Sequence, residues 1–222
     1  RQRAARLTAM SNLIDASALL ERLEDPTLRI LDVQFTLTDP AAGRAAYEAA
    51  HLPGAIYLHL DEDLSAPLHP DGHGGRHPLP DPKVFADRLG ALGIGDEHEV
   101  VAYDDAGGAF AGRLWWLLRW IGRPNVRILD GGLAAWRALG GPLTRDVPSF
   151  PSAPSSARPV ERMVVDAETL RNRLEDTATV IVDARAAERY RGEVEPLDRK
   201  AGHVPGALNR PFQGNLDSDG RF

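Results

Sequence analysis

The chain contains no cysteine. A disulfide framework, a thiolate nucleophile and thiolate metal ligation are therefore excluded for these 222 residues. An excess of positive charge is also missing: 26 basic residues stand against 32 acidic ones, a net charge of −6. That balance lacks the electrostatic footprint of a phosphate-backbone binder, so nucleic acid is not an expected partner. No apolar run approaches the roughly 20 residues of a membrane-spanning helix. The basic opening Arg1-Gln2-Arg3-Ala4-Ala5-Arg6 is followed by no apolar h-region, and the expectation is a cytoplasmic protein with no membrane partner. Met10 reads as a natural start, which sets residues 1–9 outside the fold. What remains, 43% hydrophobic and 26% charged, is the composition of an ordinary globular chain rather than a disordered one.

The most informative feature present is a repeat. Ile30-Leu31-Asp32-Val33-Gln34 followed by His51-Leu52-Pro53-Gly54-Ala55 returns as Ile181-Val182-Asp183-Ala184-Arg185 followed by His203-Val204-Pro205-Gly206-Ala207. The two marks recur at offsets of 151 and 152 residues, the signature of a duplicated domain. The first copy runs 87 residues beyond Gly54 to Gly141, whereas 16 residues follow Gly206. The repeat therefore predicts roughly seventy further residues of the second copy, and a longer natural polypeptide.

Apolar runs alternate with amphipathic stretches in the manner of an α/β domain. The first copy predicts strands at Leu28 to Val33, Ala55 to Leu58, Glu99 to Tyr103 and Val126 to Leu129. Helices are predicted at Ala42 to Ala50, Lys83 to Leu92, Gly112 to Ile121 and Gly132 to Leu139. Strands separated by helices imply parallel pairing through right-handed crossovers. The organisation expected is a domain over residues 10–147, a proline- and serine-rich extended linker over 148–160, and the first part of a second domain over 161–222.

A glycine-containing loop after the third of these strands, Tyr103-Asp104-Asp105-Ala106-Gly107-Gly108, opens a helix and could aim backbone N–H groups at one point. Asp104 at the strand's end would repel an anion there, so on local sequence the loop reads as inert.

Tyr103-Asp104, Arg113-Leu114-Trp115-Trp116 and Leu129-Asp130-Gly131-Gly132-Leu133 with Trp136 resemble the first domain of tandem-domain rhodaneses, the thiosulfate and 3-mercaptopyruvate sulfurtransferases. Val182 to Gly192, then Gly202 to Asn209, resembles the start of their catalytic domain. The resemblance implies three-layer α/β/α domains, each with a five-stranded parallel sheet in the strand order 3-2-4-5-1, the second incomplete in this chain. It implies a cysteine, beyond Phe222, that takes sulfane sulfur from a small anionic donor as a persulfide and passes it to cyanide or a thiol. It also implies that Asp104 is the inactive counterpart of that nucleophile. Arg189, with Arg185 beside it, is implied to bind the anionic donor, and neither cofactor nor metal is implied. Glu195-Pro196 is followed by Leu197 where mercaptopyruvate enzymes carry a second arginine, with Arg199 a substitute in a rearranged loop, so the resemblance leans towards thiosulfate. The alternative is a cysteine-free module, enzymatically inactive, that binds or regulates a partner.

Other residues invite chemistry and have plainer readings. His51 and His203 precede Pro-Gly turns and suit structural hydrogen bonding, while Asp32 and Asp183 suit bracing of strand ends. His69, Asp71, His73 and His77 lie close enough in sequence to ligate a divalent ion, but a glycine-rich loop does not fix them, and His77-Pro78-Leu79-Pro80 also resembles a His-x-Leu-Pro loop of the family's first domain. Trp115, Trp116 and Trp120 on one apolar helix suit packing rather than a binding platform.

Overall fold

β-Branched and leucine-rich segments form the centre of the first half of the chain. In the structure, a computed structural model that describes residues 11–222, the elements run β1 (Leu13–Ile14), α1 (Ala16–Leu20), β2 (Leu28–Asp32), α2 (Pro40–Ala49), β3 (Ala55–Tyr57), α3 (Pro82–Ala91), β4 (Glu99–Tyr103), α4 (Ala109–Trp120), β5 (Val126–Leu129) and α5 (Gly132–Ala138). The five strands form one parallel sheet in the order β3-β2-β4-β5-β1, as the family resemblance implies. All of β2 is buried, as is β4 beyond Glu99, because helices cover both faces of such a sheet. Leu19, Leu28, Ile30, Val101, Tyr103, Leu133 and Trp136 belong to one buried cluster. The sequence expectation set aside for Met10 and the residues before it lies outside the described residues.

Two helix starts and two added elements differ from the periodic reading, for local reasons. α2 starts at Pro40 because Asp39 accepts the Ala41 N–H and proline is preorganised for a first helical turn. α4 starts at Ala109, before the expected Gly112, because Gly108 takes φ +83° and turns the chain directly into the helix. β1 and α1 are additions: a two-residue strand and a five-residue helix are too short to give a periodic signal.

The segment 148–160, expected to be an extended linker, has neither helix nor strand and is tied along the first unit, which ends at Val160. Ala153 N–H donates to Gly90 O (2.9 Å), Asp96 N–H to Pro154 O (3.0 Å), Arg158 N–H to Ile121 O (2.8 Å) and Val160 N–H to Trp120 O (2.8 Å).

The second unit, Glu161–Phe222, holds a 3₁₀ turn (Glu161–Met163), α6 (Ala167–Asn172), β6 (Val182–Asp183), α7 (Ala187–Tyr190), β7 (Leu208–Asn209) and a second 3₁₀ turn (Phe212–Asn215). β6 and β7 pair in parallel with Val182 opposite Leu208 and Asp183 opposite Asn209. This repeats the register of Leu31 with Ile56 and Asp32 with Tyr57 in the first unit. The duplication read from sequence therefore extends to strand pairing.

Candidate functional site

In a parallel α/β unit, side chains at the carboxyl ends of the strands and in the loops that follow are placed to meet a ligand. β6 ends at Asp183, whose Oδ1 accepts the Arg185 N–H (2.9 Å) and bends the chain so that the Arg185 guanidinium folds back on the same carboxylate, Nη2 to Oδ2 at 2.6 Å. Arg185 also donates to Gly202 O (2.6 Å) and to Glu195 Oε2 (3.3 Å). One turn further, on α7, Arg189 grips Glu195 with Nη2 at 2.7 and 3.0 Å from its two oxygens and reaches Asp198 Oδ2 at 2.9 Å. Glu195 is thus shared by the two arginines, and its side chain is only 5% exposed. Its Oε1 accepts the N–H groups of Leu197 (3.1 Å) and Asp198 (3.0 Å), which fixes the loop that carries it. The Arg189 guanidinium, ahead of the backbone donors, holds the Glu195 carboxyl below the usual range, against the opposing effect of burial. Arg185 does the same for Asp183, which in turn raises Arg185.

The structure brings Arg185 and Arg189 together on Glu195 and closes them against Asp183 and Asp198 as well. A planar fork of this kind can hold an oxyanion in two hydrogen bonds, provided the anion displaces a carboxylate. Arg199 is exposed and enters none of these pairs. Sequence reasoning missed Glu195 as the shared anchor. The signal was present as a charge pattern, Arg189 and Arg191 followed by Glu193, Glu195 and Asp198.

In the first unit, the loop after β4 expected to be inert, residues 104–108, is filled by its own side chain. Asp104 Oδ1 accepts the N–H groups of Ala106 and Gly108 (2.9 Å each), and Oδ2 those of Phe110 (2.8 Å) and Ala111 (2.9 Å). The loop does converge its amides on one point, and the ligand is the chain's own carboxylate. Repulsion of an external anion and formation of the cradle are compatible because Asp104 turns back into the loop rather than outward.

Both histidine turns are structural. His51 stacks on Tyr47 (3.8 Å between centroids), with Nδ1 2.7 Å from Tyr47 O, and the Tyr47 hydroxyl donates to Ala55 O (2.8 Å). His203 stacks on Tyr190 (3.7 Å), with Nδ1 2.7 Å from Tyr190 O, and the Tyr190 hydroxyl donates to Ala207 O (2.6 Å). Asp32 braces its strand end through Gln34 N–H (3.0 Å) and the Tyr103 hydroxyl (2.5 Å).

His69 and His73 meet edge to face at 6.1 Å, and His69 Nδ1 is 3.4 Å from Asp71. His77 lies apart from them, 3.1 Å from Asp61 Oδ1 but outside hydrogen-bonding geometry, and burial lowers its pKa. Among the described residues, no three His, Asp or Glu side chains are grouped to hold a metal ion. Of the three tryptophans on α4, Trp120 is buried and Trp115 and Trp116 are half-buried, with Trp116 stacked on Trp120 at 5.8 Å.

Comparison with known proteins agrees with this duplicated architecture. The rhodanese-like domain family model matches residues 15–139 and again 166–221. The chain is 47% identical over 213 residues to a probable 3-mercaptopyruvate sulfurtransferase of Pseudomonas aeruginosa, covering 96% of this chain and 75% of the relative. It is 40% identical over 213 residues to the putative thiosulfate sulfurtransferase SseB of Mycobacterium tuberculosis, covering 95% and 74%. Among solved structures, SseA from Escherichia coli, described as a 3-mercaptopyruvate sulfotransferase with the rhodanese fold, superimposes with a TM-score of 0.80 at 30% identity over 96% of this chain and 79% of its own. No helix among the described residues is long and apolar enough to cross a membrane.

Proposed function

Because the chain belongs to the tandem rhodanese-like sulfurtransferase family, we propose that it serves transfer of sulfane sulfur from thiosulfate or 3-mercaptopyruvate to cyanide or a thiol, with its second unit binding the anionic donor. The observation that carries the reading is the convergence of Arg185 and Arg189 on the shared carboxylate of Glu195 at the carboxyl end of β6. Two guanidiniums aimed at one point suit the sulfonate end of thiosulfate or the carboxylate of mercaptopyruvate. Glu195 and Asp198 act as stand-ins that keep the pair aligned until a donor takes their place.

The nucleophile belongs, in this proposal, to polypeptide C-terminal to Phe222, because no cysteine occurs in the chain. Its thiolate attacks the outer sulfur of thiosulfate, the S–S bond to sulfite breaks, and sulfite leaves with the electron pair. The resulting persulfide gives its terminal sulfur to cyanide, regenerating the thiolate. With mercaptopyruvate the C–S bond breaks instead, and the departing carbon takes a proton to become pyruvate. The test is production of thiocyanate from each donor by the natural full-length protein. Turnover that Arg189→Ala lowers through KM supports the proposal. Absence of turnover with both donors overturns it in favour of a module that binds a partner.

A further inference from the structure

At the end of the first unit's sheet opposite Asp104, where β4 and β5 begin, the loop 121–125 and the segment 148–160 flank a pocket of about 210 Å³ that opens to solvent. The sulfur-transfer reading makes no use of it. Its polar lining is Asp96, His98, Arg123, Asn125, Ser156 and Arg158.

Two arginines and a single carboxylate line it. Arg123 is buried, and its hydrogen bonds go to neutral oxygens: Ile94 O (3.2 Å), Ser155 Oγ (3.3 Å) and Gly95 O (2.5 Å). Asp96 and Glu97 act on it only at longer range, and Arg158 forms no ion pair with a described carboxylate. The single acid of the lining, Asp96, is engaged by Ser156 through its N–H (2.9 Å) and hydroxyl (2.7 Å), and the charges of both Arg123 and Arg158 act on it without contact, so one carboxylate serves two guanidiniums. A buried guanidinium with no carboxylate in contact gains from an anion that can reach it. A second cavity with a buried arginine, beside Arg29, is lined by Glu24 and Asp25 and has no second cation.

Further donors face the same space. The Gly95 N–H donates to His98 Nδ1 (2.8 Å), which places the proton of the neutral ring on Nε2, and Asn125 contributes an amide. Water occupies about 30 Å³ per molecule in the liquid, so the cavity has room for a tetrahedral oxyanion with part of its hydration shell. Gly122, at φ +86°, permits the close approach of segment 148–160, since a Cβ there would lie 2.8 Å from Arg158 O.

We infer that this cavity is a binding site for a tetrahedral oxyanion of the phosphate or sulfate class, held by Arg123 and Arg158 and independent of the donor site in the second unit. Occupancy would strengthen attachment of segment 148–160, because Ser156 and Arg158 belong to it.

The test titrates the full chain with inorganic phosphate, and separately with sulfate, at constant ionic strength set by chloride, following side-chain and backbone resonances of His98, Asn125 and Ser156. Saturable shifts are expected with both anions, weakened at least fivefold by Arg158→Ala and unchanged by Arg44→Ala, an exposed arginine far along the sequence. Arg158 is exposed, so its removal leaves the fold intact even where Arg123→Met does not. Shifts that grow linearly without saturation, or an affinity that Arg158→Ala leaves unchanged, overturn the inference. Loss of donor binding in Arg189→Ala leaves it standing, which separates its failure from that of the sulfur-transfer proposal.

Discussion

Asp104 closes on Ala111: its Oδ2 takes the Ala111 N–H at 2.9 Å while Oδ1 takes that of Ala106 at the same distance. The start of α4 is thereby satisfied by an internal anion, at a position where a helix has N–H groups with no partner of their own. A site capable of ligand binding becomes a brace for the sheet and helix.

Asp104→Ala should therefore destabilise the first unit by about 1–3 kcal/mol, the penalty for leaving buried donors unmatched. The vacated cradle should accept a small anion in place of the carboxylate. Added sulfate is expected to raise the variant's Tm more than the parent's at matched ionic strength. Equal shifts in both proteins would show that the amides do not bind an external anion.

Much of the first unit could be read before any coordinates. The apolar strands, the helix between Arg113 and Trp120 and the repeat of Asp32 by Asp183 are periodic or duplicated, and such patterns survive in a single sequence. The direction in which Asp104 turns could not be read, because a carboxylate facing out and one folded into its own loop have the same residue pattern. Arg185 and Arg189 were legible through resemblance alone. Their anchor, Glu195, required the path of the loop between α7 and β7. The attachment of 148–160 was hidden as well: its contacts are backbone hydrogen bonds to Gly90, Ile121 and Trp120, which leave no mark in composition.

Tyr103 and Asp32 give the second prediction. Asp32 is fully buried, and burial holds its pKa above the ordinary value of 3.8 despite the Tyr103 and Gln34 hydrogen bonds. Burial also pushes the Tyr103 phenol well up, so it remains the donor. A carboxyl whose folded pKa is raised binds protons more readily in the native state. Its contribution to stability is complete below pH 3.8 and is lost as the pH rises through the folded pKa. Measured against Asp32→Asn, the parent should gain relative stability on acidification. Tyr103→Phe should cost about 1–3 kcal/mol at neutral pH, since it removes the donor to a buried carboxylate. Chemical denaturation of the three proteins across pH checks both.

The second unit should respond to acid with the opposite sign. Arg189 lowers the pKa of Glu195 from 4.5, and Arg185 lowers that of Asp183 from 3.8. A depressed carboxyl contributes stability that is present above its unfolded pKa and lost as the pH falls through the folded one. The arginine cluster should thus hold from neutrality down to about pH 4.5 and loosen below it. Exchange of the Arg185 and Arg189 Nε protons, followed by NMR during acid titration, should quicken in that window. Unchanged exchange down to pH 2, where protonation of the carboxyls is expected to have removed the partners, would contradict the pairing.

Arg189→Lys in the natural full-length protein separates donor binding from scaffolding. Lysine keeps the charge and loses the planar fork that now spans both Glu195 oxygens, so a scaffold defect and a binding defect predict different measurements. If Arg189 receives the donor, KM for thiosulfate or mercaptopyruvate should rise about tenfold, equivalent to roughly 1.4 kcal/mol, with a smaller change in kcat. Glu195→Gln should move KM the other way, because a neutral amide competes less well than a carboxylate for the same guanidinium. If Arg189 only holds the loop, both substitutions should lower Tm and leave KM alone. Because the two variants alter opposite members of one ion pair, structural damage cannot produce KM shifts of opposite sign. That pattern, with Tm held within about a degree or two of the parent, identifies the donor as the third partner of the pair.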